Sequence, residues 1–294
     1  MSLASLVFSW CFRPGQTRTL AMGNSKRTYF VHTPTGYDPV KPIPVVLALH
    51  GATMNGPMMA WFSGLNKKSD EAGFIAVYPN GTGLYSSLTW NGGNCCGSAM
   101  RRNVDDVAFI KALLDDLAKD FQIDMQRVYA TGMSNGAIMV YRLASDLSDR
   151  IAAIAPVAGT MATEKCEPKH PVPVIHFHGT EDEYVPFLGG KGKRTPPGMD
   201  FRSVDHSIQT WVKLNGCDPK PTVDVLSKDG DDLKVTRTTY TTGKDGAEVV
   251  LVVIENGGHT WPGMKVATAI LGESALNISA NDLMWEFFQK HIRN

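Results

Sequence analysis

The sequence predicts a single α/β domain in which helices flank a mostly parallel β-sheet. Short apolar runs of strand length alternate with amphipathic helical segments from residue 43 onward, which is the pattern of such a sheet. No repeat, low-complexity tract or proline-rich linker divides the 294 residues into two cores. Apolar residues make up 43 % of the chain, enough for one large core. We therefore expect an N-terminal arm or signal remnant in residues 1–25 and one domain in residues 26–294.

The first half of the chain predicts strands and helices in turn. Residues 26–33 alternate polar and apolar side chains, which predicts an early edge strand. Ile43–Leu49 is a continuous apolar run, typical of a strand buried on both faces. A helix over 58–72 and a second buried strand over 74–78 follow. Residues 80–103 are rich in glycine, asparagine and serine, and a loop of this length in a compact domain is often functional.

The second half continues the alternation. Residues 104–120 carry apolar side chains at helical spacing with acids between them, which predicts an amphipathic helix. The further predicted strands are 127–131, 151–157, 172–177, 233–241 and 248–254. The further predicted helices are 135–145, 203–215 and 280–292. Residues 187–200, rich in glycine, proline and lysine, are expected to form a loop without core residues.

The charge balance excludes two classes of partner. The chain carries 29 basic and 29 acidic side chains and therefore no formal net charge. Nucleic acid and anionic membranes need a clustered basic surface, so neither is an expected partner. No segment reaches the roughly 20 apolar residues that a membrane span needs. The apolar segment 2–12 is shorter, and it fits either the core of a signal peptide or an arm that packs on the domain.

The strongest local motif is Gly132-Met133-Ser134-Asn135-Gly136, which matches G-x-S-x-G. A predicted strand precedes it and a predicted helix follows it, as a nucleophile elbow requires. The turn is so sharp that only small residues fit two positions before and after the serine. Ser134 is then exposed at the carboxyl edge of the sheet, where the helix dipole favours a developing anion. It is the predicted nucleophile, and the alternative is a surface serine at a glycine-rich helix start.

A nucleophilic serine needs a base and an acid that orients the base, and in this arrangement the acid comes first in the chain. The predicted strand 172–177 ends in a turn with three candidate acids, Glu181, Asp182 and Glu183. We select Asp182 because its side chain is short and a Val-Pro pair stiffens the turn behind it. The alternative is a solvated acidic turn.

The predicted base is His259, which follows the predicted strand 248–254 on a glycine-rich loop. Its place after the last strand is the place that the order serine, acid, histidine requires. Gly257 and Gly258 are expected to give the backbone freedom to aim the ring. A histidine on a loop is more often a plain surface residue, but here the order along the chain outweighs that reading.

An oxyanion formed by attack of a serine needs two backbone N–H donors. Asn135, directly after the nucleophile, supplies one. The loop after His50-Gly51 should supply the other, with Ala52 as the first choice and Thr53 as the second. Thr53 is also a candidate substrate contact. His50 is expected to brace this loop.

Trp90 and Trp261 lie in loops expected at the catalytic edge of the sheet. They are candidate substrate-binding residues because aromatic walls suit planar groups. The alternative, equally open, is that each indole covers the core. A pocket of this kind binds a small ester or one unit of a polymer chain.

Two further patterns have structural readings that we favour. His176-x-His178 places two imidazoles on one face of a strand, but the strand looks buried and no third ligand stands nearby. We therefore expect no metal, and the serine chemistry needs no cofactor. Asp105-Asp106 begins a predicted helix, so these acids are expected to be a solvated face or N-terminal helix charge.

The chain resembles the polyhydroxybutyrate-depolymerase-like and feruloyl-esterase-like group of α/β-hydrolases, in carbohydrate esterase family 1. The matching stretches are RTYFVHTPTGY (27–37), VVLALHG (45–51), WNGGNCCG (90–97), VDDVAF (104–109), RVYATGMSNG (127–136), the acidic turn 178–186 and GGHTWPG (257–263). They follow the family's order over nearly the whole chain after residue 26. The vicinal-cysteine block and the H-T-W-P-G block are far more specific than G-x-S-x-G.

The resemblance implies an α/β-hydrolase fold with Ser134, Asp182 and His259 as its triad. It implies that Trp261 and the loop of Trp90 border the acyl or alcohol pocket. We therefore expect a serine carboxylic-ester hydrolase. The favoured substrate is a feruloyl or related hydroxycinnamoyl ester of plant polysaccharide. The alternatives are oligomeric or polymeric 3-hydroxybutyrate, a short acetyl ester, or an inert binding protein on a hydrolase scaffold, against which the intact triad argues.

The resemblance also implies that Cys95 or Cys96 pairs with Cys166 or Cys217 in an exported protein. From the residues alone, the odd count of five cysteines fits two disulfides with one thiol left over, or free thiols in the cytosol. Cys11 is then the expected unpaired one. We expect a secreted or periplasmic location, with a cytoplasmic one as the alternative. The oligomeric state is not predicted.

Overall fold

The computed structural model describes residues 15–23, 25–84, 87–265 and 268–293. The strands are β1 (Gln16–Met22), β2 (Ser25–His32), β3 (Ile43–Leu49), β4 (Ile75–Pro79), β5 (Thr82–Leu84), β6 (Ser87–Thr89), β7 (Ile123–Met133), β8 (Ala153–Val157), β9 (Val174–Gly179), β10 (Thr222–Val225), β11 (Val235–Tyr240) and β12 (Val249–Ile254). The helices are α1 (Gly56–Ser63), α2 (Leu65–Ala72), α3 (Gly97–Arg101), α4 (Asp106–Asp120), α5 (Asn135–Asp146), α6 (Val204–Asn215), α7 (Thr268–Leu271) and α8 (Ala280–Lys290). A 3₁₀ turn spans Lys244–Gly246.

Within the described residues, ten strands form one sheet in the order β1-β2-β4-β3-β7-β8-β9-β12-β11-β10. The six strands from β4 to β12 in this order run parallel. The strand pairs at both ends are antiparallel. β5 and β6 form a separate hairpin. The predicted fold class, a mostly parallel sheet flanked by helices, is confirmed.

The core has two layers because helices cover both faces of the sheet. In β3, Val45, Leu47 and Leu49 point into one layer, and Val46 and Ala48 point into the other. Side chains from α4, α5 and α6 complete the first layer, and side chains from α1, α2 and α8 complete the second. A strand between two layers buries both of its faces, which explains the unbroken apolar run.

Two predicted elements differ from the structure. The helix predicted over 58–72 is two helices, α1 and α2, because Gly64 adopts a left-handed conformation with φ 61° between them. β2 was predicted as an edge strand, which is wrong because β1 pairs with its outer side. β1 lies inside the segment 1–25 predicted as an arm or signal remnant; residues 1–14 of that segment lie outside the described part.

The long segment 80–103 holds more regular structure than the sequence predicts. It contains the hairpin of β5 and β6 and the short helix α3. Residues 187–200 contain no helix or strand, as expected, and one isolated bridge joins Gly190 to Phe201. None of the helices in the described ranges is long and apolar enough to cross a membrane.

Candidate active site

Ser134 lies between the end of β7 and the start of α5, in the strand–turn–helix context that the motif predicts. Its backbone has φ 57° and ψ −120°, a strained conformation for a residue with a side chain. The turn is tight because α5 packs against the end of β3. A Cβ at Gly132 would lie 2.7 Å from the carbonyl carbon of Gly136, and a Cβ at Gly136 would collide with the carbonyl oxygen of Leu49. Both glycines are therefore required by space.

Asp182 lies in the turn after β9, where backbone and side-chain donors surround its carboxylate. Its Oδ1 accepts the backbone N–H groups of Tyr184 (2.8 Å) and Val185 (2.9 Å). Its Oδ2 lies 2.7 Å from His259 Nδ1. Burial opposes ionisation of Asp182, but the charge and hydrogen bonds of His259, with a hydrogen bond from His178, outweigh it and hold the pKa of the carboxyl well below its usual value.

The two neighbouring acids lie elsewhere. Glu183 forms surface ion pairs with Lys193 (2.8 Å) and Arg194 (3.0 Å). Glu181 is exposed, and its backbone N–H donates to the carbonyl of Gly257. Of the three candidate acids, the structure therefore brings only Asp182 to a histidine.

His259 follows β12 on a loop that packs tightly against its neighbours. Its backbone N–H donates to the carbonyl of Leu271 (2.6 Å). A Cβ at Gly258 would collide with that same carbonyl, and a Cβ at Gly257 would lie 2.5 Å from the side chain of Ile254. Neither glycine has a positive φ. These glycines serve close packing, so the expectation that they supply backbone freedom is wrong.

The three predicted triad residues share one edge of the sheet. β7, β8, β9 and β12 are adjacent and parallel, so the carboxyl ends that carry Ser134, Asp182 and His259 lie side by side. The Asp182–His259 hydrogen bond is formed. No hydrogen bond joins Ser134 Oγ to His259 in the described part of the chain. Such hydrogen bonds are often long in free enzymes and shorten when substrate binds.

The predicted oxyanion donors also lie at this edge. Asn135 is the first residue of α5, so its N–H has no partner within the helix. The Thr53 N–H donates to the carbonyl of Leu88 (2.9 Å), which removes the second-choice donor. The Ala52 N–H makes no backbone hydrogen bond with the described residues. Ala52 therefore stays the candidate partner of Asn135, and Thr53 stays an exposed candidate for substrate contact.

His50 braces the loop that carries Ala52, as the sequence predicts. Its Nε2 accepts the N–H of Gly81 (2.9 Å), so its proton is on Nδ1, which donates to the carbonyl of Gly51 (2.7 Å). The ring is fully buried, and burial lowers the pKa of His50 to about 4. The neutral imidazole thus links the loop to the start of the segment 80–103.

Trp90 and Trp261 do not form an aromatic wall. Each has 0 % of its surface exposed. The Trp90 indole N–H donates to the carbonyl of His50 (3.0 Å), and the Trp261 indole N–H donates to Asn281 Oδ1 (3.0 Å). Both indoles satisfy their N–H inside the protein and pack in the core, so the prediction that they contact substrate is wrong.

The ring of Tyr184, which the sequence does not predict as a site residue, lies beside the candidate base. Its ring centroid lies 4.9 Å from that of His259 at an angle of 31°. The side chain is half-buried, and the guanidinium of Arg194 lies 6.0 Å from its ring centroid. The signal available in the sequence was its position two residues after the selected acid.

The cysteine pairing differs from the implied one. Cys95 and Cys96 form a disulfide with each other across a cis peptide bond. Cys166 and Cys217 are free thiols in the part of the chain that the structure describes. The implied pairing of Cys95 or Cys96 with either of them is therefore wrong, since Cys95 and Cys96 are bonded to each other. Cys11 lies outside the described residues.

Asp106 is not a solvated helix acid, as was expected, but half of a buried ion pair. It is 0 % exposed, and its Oδ1 accepts from Arg27 (2.8 Å) while its Oδ2 accepts the N–H of Asn91 (2.8 Å). Asp105, its neighbour, caps α4 by accepting the N–H of Ala108. Burial raises the pKa of Asp106, and the charge of Arg27 opposes that shift. This pair anchors the residues next to Trp90.

Comparisons with known proteins identify the family of the chain. Residues 27–210 match the family described as Esterase PHB depolymerase. Feruloyl esterase B of Piromyces equi is 30 % identical over 79 % of this chain, which spans only 42 % of that protein. Feruloyl esterase C of Emericella nidulans is 26 % identical over 93 % of this chain and 89 % of its own length. The structure of an acetyl xylan esterase from Aspergillus awamori shares the fold, with TM-score 0.61 and 16 % identity over 93 % of this chain and 99 % of that chain.

The fold and these relatives put the chain in the class of carboxylic ester hydrolases with the α/β-hydrolase fold. The family match covers more than half of its residues. The chain belongs to the Esterase PHB depolymerase family.

Proposed function

We propose that this chain hydrolyses carboxylic esters with Ser134 as the nucleophile, His259 as the base and Asp182 as the acid that orients the base. The observation that carries the proposal is the buried hydrogen bond between Asp182 Oδ2 and His259 Nδ1 (2.7 Å) at the sheet edge that also bears the Ser134 turn. The carboxylate holds the imidazole with its proton on Nδ1, so Nε2 is left bare to accept a proton.

The reaction proceeds by acyl transfer through the serine. His259 Nε2 takes the proton of Ser134 Oγ as the oxygen attacks the ester carbonyl. The N–H groups of Asn135 and Ala52 donate to the oxyanion of the tetrahedral intermediate. The intermediate collapses, the alcohol leaves with the proton from His259, and water then hydrolyses the acyl-enzyme by the same route. Asp182 stabilises the imidazolium throughout.

The substrate class that we propose is an aromatic acyl ester, such as a feruloyl ester of plant polysaccharide. Two relatives named feruloyl esterases support it, and the half-buried ring of Tyr184 beside His259 offers a face for a planar acyl group. Hydroxybutyrate esters are the second candidate, which the family description favours. Since polysaccharide esters lie outside the cell, the proposal includes a secreted or periplasmic location, which cell fractionation tests.

The experiment is a comparison of kcat/KM for methyl ferulate, a 3-hydroxybutyrate oligomer and p-nitrophenyl acetate. We expect methyl ferulate to have the highest value. Ser134→Ala should reduce turnover of every ester to within about 10³- to 10⁴-fold of the uncatalysed rate. Ser25→Ala, at an exposed serine in β2, is the matched control and should act as the parent does.

Two results would contradict the proposal at different levels. Negligible turnover of methyl ferulate with good turnover of another ester would reject the substrate class and keep the mechanism. Parent-like activity of Ser134→Ala, or failure of a fluorophosphonate to label Ser134 in the folded protein, would reject the mechanism and favour an inert binding protein.

A further inference from the structure

Behind Asp182, three buried side chains form what we call the histidine row: Tyr141 in α5 and His176 and His178 in β9. Each is at most 1 % exposed. Tyr141 Oη lies 2.8 Å from His176 Nδ1, and His176 Nε2 lies 3.0 Å from His178 Nδ1. The row ends where His178 Nε2 lies 2.8 Å from the carbonyl oxygen of Val185. The ester hydrolysis described above uses none of these three side chains.

The direction of each hydrogen bond in the row follows by elimination. The Tyr141 hydroxyl has no other acceptor among the described residues, so it donates to His176 Nδ1, which is therefore bare. Burial holds the pKa of His176 well below its usual value, so the ring is neutral and carries its proton on Nε2. That N–H donates to His178 Nδ1, so the proton of His178 is on Nε2.

The Nε2–H of His178 reaches the groups that hold Asp182. Its nitrogen lies 3.4 Å from Asp182 Oδ2, the same oxygen that accepts from His259 Nδ1. The same Nε2–H of His178 donates to the carbonyl of Val185, and the N–H of Val185 donates to Asp182 Oδ1 (2.9 Å). One N–H group therefore restrains both sides of the carboxylate, directly and through the turn.

We infer that His178 is a positioning residue for Asp182, and that Tyr141 sets its tautomer through His176. The spacing of the two histidines, which could suggest a metal pair, is explained by the row: the ring nitrogens are occupied by hydrogen bonds, and the rings are stacked at 5.2 Å and 6°. A carboxylate that is free to turn would misdirect His259, and misplacement of about 1 Å costs about a hundredfold in rate. The inference rests on the proposed function.

The first test reads the tautomers and does not depend on activity. Long-range ¹H–¹⁵N spectra of ¹⁵N-histidine-labelled protein should show His178 with its proton on Nε2 and with a bare Nδ1, and His176 likewise. A proton on Nδ1 of His178 would overturn the inference. If the protein hydrolyses no ester at all, the proposed function fails, but these spectra still test the proton positions in the histidine row.

The second test separates positioning from folding by kinetics. His178→Leu, which lacks a donor, should lower kcat about a hundredfold with KM within about twofold of the parent value. His178→Gln, whose amide can donate from the same place, should have a kcat at least about tenfold higher than that of His178→Leu. Equal activity of the Leu variant and the parent, or no rescue by Gln in two equally folded variants, would overturn the inference.

Tyrosine variants test the remote end of the row. Tyr141→Phe removes only the hydroxyl that fixes His176, and we expect kcat to fall about three- to tenfold with KM unchanged. Tyr129→Phe is the matched control, because the Tyr129 hydroxyl is buried without a hydrogen-bond partner among the described residues. Equal kcat values for the two variants would contradict the role of Tyr141.

Discussion

Gly136 shows what the motif demands at the scale of one residue. Its φ is not positive, so an alanine there would suffer no backbone strain. The obstacle is steric, because a Cβ at Gly136 would collide with the carbonyl oxygen of Leu49 and would lie 2.7 Å from the carbonyl oxygen of His50. The glycine lets α5 approach the end of β3, and Ser134 is held in its strained turn by that approach.

His50 leads to a prediction about pH. Its pKa is about 4 in the folded protein against an ordinary 6.5, so the unfolded chain binds one more proton than the folded protein between these values. The contribution of His50 to the free energy of unfolding therefore falls as the pH falls from 6.5 to 4, by about 1.4 kcal/mol per pH unit and about 3 kcal/mol in all. Burial also lowers the pKa of His176, so His176 adds a loss of the same sign. The depressed pKa of Asp182 acts only below this window, as its stabilising contribution is lost on acidification beneath about 3.8.

Urea unfolding between pH 4 and 8 measures this contribution. His50→Gln, which keeps an acceptor for the N–H of Gly81, should have a lower free energy of unfolding at pH 7.5 than the parent. Its free energy of unfolding should also change less with pH, by an amount that corresponds to about one bound proton. His206→Gln, at an exposed histidine in α6, is the control and should keep the parent slope. An unchanged slope in His50→Gln would show that His50 is not the neutral buried group described.

At the scale of elements, a buried ion pair joins β2, α4 and the loop that bears Trp90. Arg27 in β2 donates to Asp106 Oδ1 and to the carbonyl of Asn80, and its guanidinium lies 4.0 Å from the ring centroid of Phe109. Asp106 in turn receives the N–H of Asn91. The segment 80–103 is thus tied to the sheet by charge as well as by packing.

We predict that Arg27→Met destabilises the protein by about 3–5 kcal/mol, because it leaves the Asp106 carboxylate buried without a counter-charge. The double variant Arg27→Met/Asp106→Leu should lose less stability than the sum of the two single changes. Arg237→Met removes one partner of an exposed ion pair with Asp224 and should cost under about 1 kcal/mol. Denaturant unfolding gives all four values. Additive losses in the double variant would contradict a buried pair.

At the scale of the whole molecule, the order of the parallel strands assembles the site. Asp182 and His259 are 77 residues apart, yet they meet because β9 and β12 are neighbours. The β7 strand that leads to Ser134 is separated from β9 by β8 alone. Parallel strands place their carboxyl ends at one edge, so three loops from distant parts of the chain converge there.

The absence of net charge leads to a prediction at the same scale. Twenty-nine basic and 29 acidic side chains give no overall field to steer a charged ligand. For a neutral ester such as methyl ferulate, kcat/KM should therefore change less than about twofold between about 0.02 and about 0.5 M salt. A strong fall of kcat/KM with salt would contradict this prediction and show that charges of the protein itself affect the reaction.

Local patterns predicted the elements that bear the site. The continuous apolar run Ile43–Leu49 is a strand with the same bounds in the structure. The G-x-S-x-G motif has its strand before it and its helix after it. The sequence favoured Asp182 over Glu181 and Glu183 because its side chain is short and a Val-Pro pair stiffens the turn behind it. Of these three acids, only Asp182 forms a hydrogen bond with His259. These predictions hold because strand length, turn chemistry and order along the chain are properties of neighbouring residues.

The sequence by itself therefore determined the fold class, the strand–turn–helix context of Ser134 and the order along the chain of the candidate serine, acid and histidine. Only the tertiary structure decided that Trp90 and Trp261 are buried, that Tyr184 is the ring beside His259, that Cys95 pairs with Cys96, and that His176 and His178 form a row behind Asp182. The physical reason is that burial and hydrogen-bond partners depend on which distant segments pack together. A loop tryptophan has the same local pattern whether it faces substrate or core.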